Sequence, residues 1–220
     1  MLLDDLKLIF PNAREGWVES LADEIFRSAV DSPAEIASFC AQLHQESMGL
    51  TIFEENLYYS TPERLCLIWP NRFALPTAQG TVPEGKANPV LYVKNPQALA
   101  NFVYADENRN PKFALGNTQP GDGWMYRGRG PAQITGKRNY LACGSALGVD
   151  LINHPERLKE PRIGIQSAIW YWQTHGLDSV DDDLDVRAET RLLNGGETGL
   201  KERQEFFDRA FAILNHTTEA

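Results

Sequence analysis

Glu46 and Glu55 stand nine residues apart, one in His44-Gln45-Glu46-Ser47 and the other in Glu54-Glu55-Asn56-Leu57-Tyr58-Tyr59-Ser60. Hydrolysis of a bond between two sugars needs two carboxyl groups in opposite protonation states, one on each side of the bond. Helical periodicity gives the first of these a reason to keep its proton. At 100° per residue, Phe39, Leu43 and Glu46 fall within about 60° of one another. Glu46 therefore lies at the edge of a buried stripe, near a helix C-terminus. Partial burial and the negative end of the helix dipole both favour the neutral carboxyl, which is what a general acid needs. Glu55 follows a turn containing Gly49 and precedes a polar segment, where a carboxylate stays ionised. Glu54 competes for the second role, and the pattern does not separate the two. Glutamate pairs are also common on the solvated face of an acidic chain, so spacing alone decides nothing.

The elements that must hold these residues are helical. Leu3 to Phe10 reads as a short helix stopped by Pro11, and Gly16 to Val30 as a second, with Val18, Leu21 and Ile25 on one face. A third has a clear start: Ser32 as N-cap, Pro33 at the first helical position and Glu35 completing a capping box. Ile36, Phe39, Cys40 and Leu43 then recur at helical spacing. From Ile68 to Asp122 the chain is rich in Pro, Gly and Asn, with Asn95-Pro96 starting a short helix that runs through Tyr104. Loops of this length are uncommon in compact domains and are often functional. Gly164 to Thr174 is an apolar, aromatic helix, and Val186 to Leu193 and Leu200 to Leu214 read as the closing helices. Between those two, Asn194-Gly195-Gly196 calls for unusual backbone angles or a close approach. The fold class expected is mainly α, with long irregular loops and one small β-hairpin, built as a single domain over 1–220 whose residues 1–31 form a helical segment packed on it.

Bulk properties exclude several functions. With 42% hydrophobic and 23% charged residues, the 220-residue chain has the profile of a globular protein able to bury a core. The net charge of −9 argues against nonspecific nucleic-acid binding and against attraction to anionic membranes. No apolar run approaches the ~20 residues of a membrane helix. Cys40, Cys66 and Cys143 are too few and too scattered for a disulfide framework, so free thiols are expected. His44, His154, His175 and His216 are unpaired, and no spacing resembles a zinc site. Asp181-Asp182-Asp183 with Asp185 lacks the glycine and distal glutamate of a calcium loop and reads as a solvated turn. No metal or other cofactor is expected.

The words around the glutamates carry more than their spacing. Ala41-Gln42-Leu43-His44-Gln45-Glu46-Ser47 and Glu55-Asn56-Leu57-Tyr58-Tyr59-Ser60 resemble the active-site stretch of family 19 glycoside hydrolases, the plant-type chitinases and related phage endolysins. The resemblance continues through Leu99-Ala100-Asn101-Phe102-Val103-Tyr104. It is strongest in Gly121-Asp122-Gly123-Trp124-Met125-Tyr126-Arg127-Gly128-Arg129-Gly130-Pro131-Ala132-Gln133-Ile134-Thr135-Gly136-Lys137-Arg138-Asn139-Tyr140. It closes with Leu193-Asn194-Gly195-Gly196-Glu197-Thr198-Gly199-Leu200 and Arg203. An ordered set of motifs is far more specific than any one of them.

The resemblance implies a lysozyme-like fold and an inverting hydrolase with Glu46 as general acid and Glu55 as general base. Their carboxyl groups would stand about 6.5–9.5 Å apart to admit a water. It further implies that Thr135 helps hold that water, that Gln133 and Asn194 contact substrate, and that Arg203 is a charged partner near the catalytic centre. An arginine beside Glu55 would keep it ionised, and the glycines of Arg127-Gly128-Arg129-Gly130 would let backbone approach the sugar. Trp124 and Tyr126 are candidates to stack on sugar rings, with core packing as the alternative for each; Trp17, Trp69, Trp170 and Trp172 read as core.

The chain departs from the family in one place: Gln45 intervenes where the family has His directly before the catalytic Glu, which leaves His44 without an assigned role. The expected substrate is bacterial peptidoglycan, with chitin as the alternative and a catalytically silent glycan-binding protein as the reading from another class. Met1-Leu2-Leu3-Asp4-Asp5 lacks the marks of a signal peptide. That leads to the expectation of a cytoplasmic monomer acting in the periplasm or cell wall after release by a holin or injection by a secretion machine, with an immunity protein as a further partner.

Overall fold

The computed structural model describes residues 2–177, 186–194 and 196–216. Among them the regular elements are helices: α1 (Leu2–Ile9), α2 (Trp17–Phe26), α3 (Pro33–Ser47), α4 (Pro62–Ile68), α5 (Pro96–Tyr104), α6 (Asp122–Met125), α7 (Lys137–Leu147), α8 (Pro161–Thr174), α9 (Val186–Asn194) and α10 (Leu200–His216). The aspartate run 181–183 and Asp185 lie outside the described residues. The chain divides into two compact units, the first Met1–Glu54, Arg129–Ile134 and Ala142–Ala220, the second Glu55–Gly128 and Thr135–Leu141. In sequence α7 spans the boundary. No described helix is long and apolar enough to cross a membrane.

The expected helix starts are realised by the expected atoms. Ser32 Oγ accepts from the Glu35 amide at 3.1 Å with Pro33 in the first turn. The Glu35 carboxylate reaches back to the Asp31 amide, at 3.3 Å, one residue before the position a capping box predicts. Asn95 caps α5 through the Ala98 amide. Three helices, α4, α6 and α7, go beyond the sequence reading. Helix α4 opens with the same grammar as α3, Thr61 as cap and Pro62 behind it. Helix α7 carries Gly144, where a Cβ would come within 2.6 Å of the Val149 carbonyl. That glycine serves a close return of the chain, and it dilutes the helical signal.

In the first unit α3 is the core helix. Every residue from Ile36 to Leu43 is buried, so it is enclosed on all sides rather than along one stripe. Helix α10 packs along it, α1 against α10 and α2, and α2 against α8. Phe39 meets Trp172 edge-to-face at 5.3 Å, and Trp17 stacks on Phe53 at 3.5 Å. His44 lies 4.0 Å from the Phe206 ring. Burial and the Arg209 charge lower its pKa, so it is a neutral packing residue. Cys40 and Cys143 are free and buried, and burial pushes the Cys143 thiol up to about 12.

The second unit gathers Leu57, Leu65, Phe73, Leu99, Ala100 and Val103, with Trp69, Tyr92 and Phe102 ringed around Phe73. Trp69 and, in the first unit, Trp170 are only partly buried, unlike Trp17 and Trp172. The expected hairpin is reduced to isolated bridges. Arg129 pairs with both Glu54 and Ile134, and Phe73 with Ala87. No pair extends into a strand among the described residues, because Gly130 (φ 74°) and Gln133 (φ 51°) turn the chain at once.

Helices α5 and α6 meet through Gly123, where a Cβ would fall 2.4 Å from the Ala100 carbonyl oxygen and 2.7 Å from the Asn101 Cα. Backbone cannot step aside as a side chain can. Gly123→Ala should therefore cost about 1–3 kcal/mol of stability, read as a lower urea midpoint. Gly196→Ala, with nothing within 4 Å of its Cβ, should leave that midpoint almost unchanged.

Candidate active site

Ser38, Gln42 and Glu46 recur every fourth residue on α3 and so share one face. Helices α9 and α10 bring Glu189 and Arg203 to that face. Ser38 Oγ donates to both Glu189 oxygens, at 2.5 Å to Oε1. The Gln42 amide nitrogen donates to Glu189 Oε2 at 3.0 Å, while Arg203 Nη1 donates to its carbonyl oxygen. Arg203 Nη2 completes the line, donating to Glu46 Oε1 at 2.6 Å. Charge thus alternates along the face, and Gln42 presents its donor to the anion and its acceptor to the cation. Glu189 is fully buried and Arg203 is 2% exposed. Neither charge would be tolerated there alone. The Glu46 side chain keeps 30% of its surface.

This placement revises one expectation. Arg203 stands against Glu46, and its burial leaves no guanidinium edge for a sugar, so its work is to position Glu46.

Glu46 also lines a cavity of about 200 Å³ with Gln42, Gln133, Tyr171 and an apolar wall that includes Phe39, Leu43 and Trp172. Gln133 occupies the left-handed backbone region at the end of the Arg129–Ile134 turn, and its amide nitrogen donates to the Gly130 carbonyl at 3.1 Å. Non-glycine residues hold such angles only where their surroundings enforce them.

The two candidate bases have different environments. Glu54, in the first unit, has Lys159 Nζ at 2.5 Å and Arg129 Nε at 3.9 Å. Two cations tie it into the framework. Glu55, in the second unit, accepts from the Tyr104 hydroxyl at 2.6 Å on Oε2 and from the Gly128 amide at 2.5 Å on Oε1. Its own amide donates back to the Gly128 carbonyl at 3.0 Å. Burial, then the Glu55 charge and this hydrogen bond, push the Tyr104 hydroxyl well above the usual tyrosine range. Tyr104 thus remains a donor.

Thr135 is half-buried in the second unit, where its carbonyl accepts from the Asn139 amide at 2.8 Å. Tyr126, 3% exposed and packed edge-on to Tyr140 at 5.3 Å, is a core residue that offers no ring face to a sugar. Trp124 is partly buried, with the Arg127 guanidinium 3.6 Å above its ring. Gly130 serves packing in its own unit: a Cβ would lie 3.2 Å from the Leu158 carbonyl. The side chain of Asn194, and Gly195, lie outside the described residues. In the closing motif it is Gly199, at φ 75°, that takes the left-handed angle, and Gln45 packs against it. Sequence reasoning assigned no role to Ser38, Gln42, Glu189, Tyr104 or Tyr171. The fourth-residue recurrence of polar groups in a buried helix was the available signal for the first two. Among the described residues no cluster of His, Cys, Asp and Glu could hold a metal.

The family profile described as chitinase class I of glycoside hydrolase family 19 matches residues 96–181. A glycosyl hydrolase family 19 domain-containing protein of Haemophilus influenzae is 34% identical over 212 residues, covering 94% of each chain. Endochitinase 1 of Theobroma cacao is 51% identical over 53 residues, which are 24% of this chain and 16% of that protein. Chitinase C from Streptomyces griseus superposes with a TM-score of 0.60 at 19% identity, over 96% of this chain and 91% of its own. That likeness establishes the lysozyme-like fold. The sequence match over nearly the full length establishes more: the chain belongs to glycoside hydrolase family 19 and is a glycoside hydrolase.

Proposed function

We propose that the protein hydrolyses β-1,4 bonds between N-acetylhexosamines with inversion, Glu46 acting as acid and Glu55 as base. The observation that carries the reading is the setting of Glu46. One carboxyl oxygen is fixed by a buried arginine while the side chain borders a cavity. A proton on the other oxygen passes to the glycosidic oxygen as the bond breaks, and the Arg203 guanidinium stabilises the carboxylate that forms. Glu55, oriented by Tyr104 and Gly128, takes a proton from the attacking water, which the Thr135 hydroxyl helps to hold. An inverting pair works at a carboxyl separation of about 6.5–9.5 Å, a value to be measured in a complex with an oligosaccharide.

Chitin oligomers are the substrate best supported, because the named relatives from Streptomyces griseus and Theobroma cacao are chitinases. Peptidoglycan, whose backbone has the same linkage, is the second reading. It is the substrate expected from the sequence, and the full-length relative from Haemophilus influenzae is described by its family alone. Holin release or injection, with an immunity protein, belongs to that second reading.

Turnover of chitin oligomers and purified peptidoglycan by wild type and variants tests the assignment. Glu46→Gln and Glu55→Gln should each lose at least about 10²-fold in kcat. Glu54→Gln should keep near wild-type turnover and lose no more than about 1 kcal/mol of stability. Full activity in both of the first two variants would end the reading. Arg203→Ala removes the ion-pair partner of Glu46 and the donor to the buried Gln42 carbonyl. It should cost about 3–5 kcal/mol in a denaturation experiment, whereas Lys201→Ala, on the exposed side of α10, should be close to neutral.

A further inference from the structure

Helix α8 lines two hollows on opposite sides. At 100° per residue, Ala168, Tyr171 and Trp172, which border the Glu46 cavity, fill an arc of about 100°. Gln166, Ile169, Trp170 and Gln173 fill another, centred about 160° away. This second arc lines a groove of about 550 Å³, closed by Glu24 and Arg27 at the end of α2 and by the end of α7. Ligand pockets run from about 300 to 1,000 Å³. All of these residues belong to the first unit, and no step of the proposed hydrolysis uses the groove.

The lining has the make-up of a sugar site. Trp170, expected in the core, is only partly buried and forms part of the wall. An indole offers a broad apolar body with a polar edge, which matches the C–H face and hydroxyl rim of a pyranose. Charge in the groove is engaged within the protein. Glu24, 7% exposed, accepts from Arg27 at 3.2 Å, from Arg162 at 3.1 Å and from the Gln166 amide nitrogen at 3.0 Å. A charged ligand would have to compete with these bonds, whereas a neutral one would not. The bond to Glu24 also fixes the Gln166 amide, four residues from Trp170 and so its neighbour on the helix surface. Exposed Gln173 adds a second amide, a group that both donates to and accepts from hydroxyl and acetamido groups.

We propose that this groove is a second carbohydrate site, where a strand of the N-acetylhexosamine polymer lies against Trp170 while another is cut beside Glu46. The proposal rests on the hydrolase reading above and extends it: the groove holds the enzyme on an insoluble polymer and takes no part in bond breaking. A tether of this kind raises the effective concentration of the second contact. A short soluble oligomer gains nothing from it.

Three variants test the groove: Trp170→Ala, Trp170→Tyr, and Ala146→Met, which fills it with a neutral side chain from an exposed position on its wall. Turnover is measured on soluble chitin oligomers, insoluble chitin and purified peptidoglycan, the two polymers showing which strand the groove takes. Pelleting with the same polymers is measured in the Glu46→Gln background, to suppress cutting. Trp170→Ala and Ala146→Met should keep kcat/KM on soluble oligomers and lose about fivefold or more in polymer turnover and pelleting. Trp170→Tyr, which keeps an aromatic face, should retain most of both. Circular dichroism qualifies each variant, and Ala146→Met alone decides if Trp170→Ala does not fold. Equal losses on soluble and insoluble substrates, or no loss on either, would overturn the groove. So would a loss in folded Trp170→Ala that Ala146→Met does not reproduce. Wild type that cuts nothing, yet pellets in a Trp170-dependent way, would overturn the hydrolase reading and leave the groove standing.

Discussion

A guanidinium buried to 2% exposure is the interaction around which the first unit is arranged. Removing such a charge from water costs several kcal/mol even after the protein relaxes, and only close opposite charges and hydrogen bonds offset it. Arg203 is supplied with both. Glu46 lies on one side, and on the other the Gln42 carbonyl, itself oriented by Glu189. Every member of this line therefore has one permitted orientation. A residue that has to present a carboxyl group to a bond gains by being the open end of so constrained a chain.

Three neighbouring glutamates show how environment sorts chemically identical side chains. Glu54 has a cation on each oxygen and is tied into the framework. Glu46 has a cation on one oxygen and a cavity beside it. Glu55 accepts from a phenol and a backbone amide.

The legible parts of the chain were those whose cause is local. Ser32-Pro33 and Asn95-Pro96 announce α3 and α5, because a cap and a proline act within one turn. The ordered motifs located both glutamates. Residues that act across long sequence separations were not legible: Glu189 meets Ser38 from 151 positions away, and Arg203 meets Glu46 from 157. Periodicity indicates that a face is buried, and it is silent on which distant charge will cover it. Tyr126 misled for a related reason, since an aromatic ring has the same sequence signature whether it packs on Tyr140 or on a sugar.

The line from Ser38 to Glu46 also ties activity to the order in which the protein comes apart. Its anchoring charges come from α9 and α10, and local opening of one element costs less free energy than global unfolding. If those helices detach while α3 stays folded, Glu46 remains in its helix but loses the arginine that aims it. Inactivation then runs ahead of global unfolding. In that case the opening of α9 and α10, not the melting of the first unit, sets the temperature at which activity is lost.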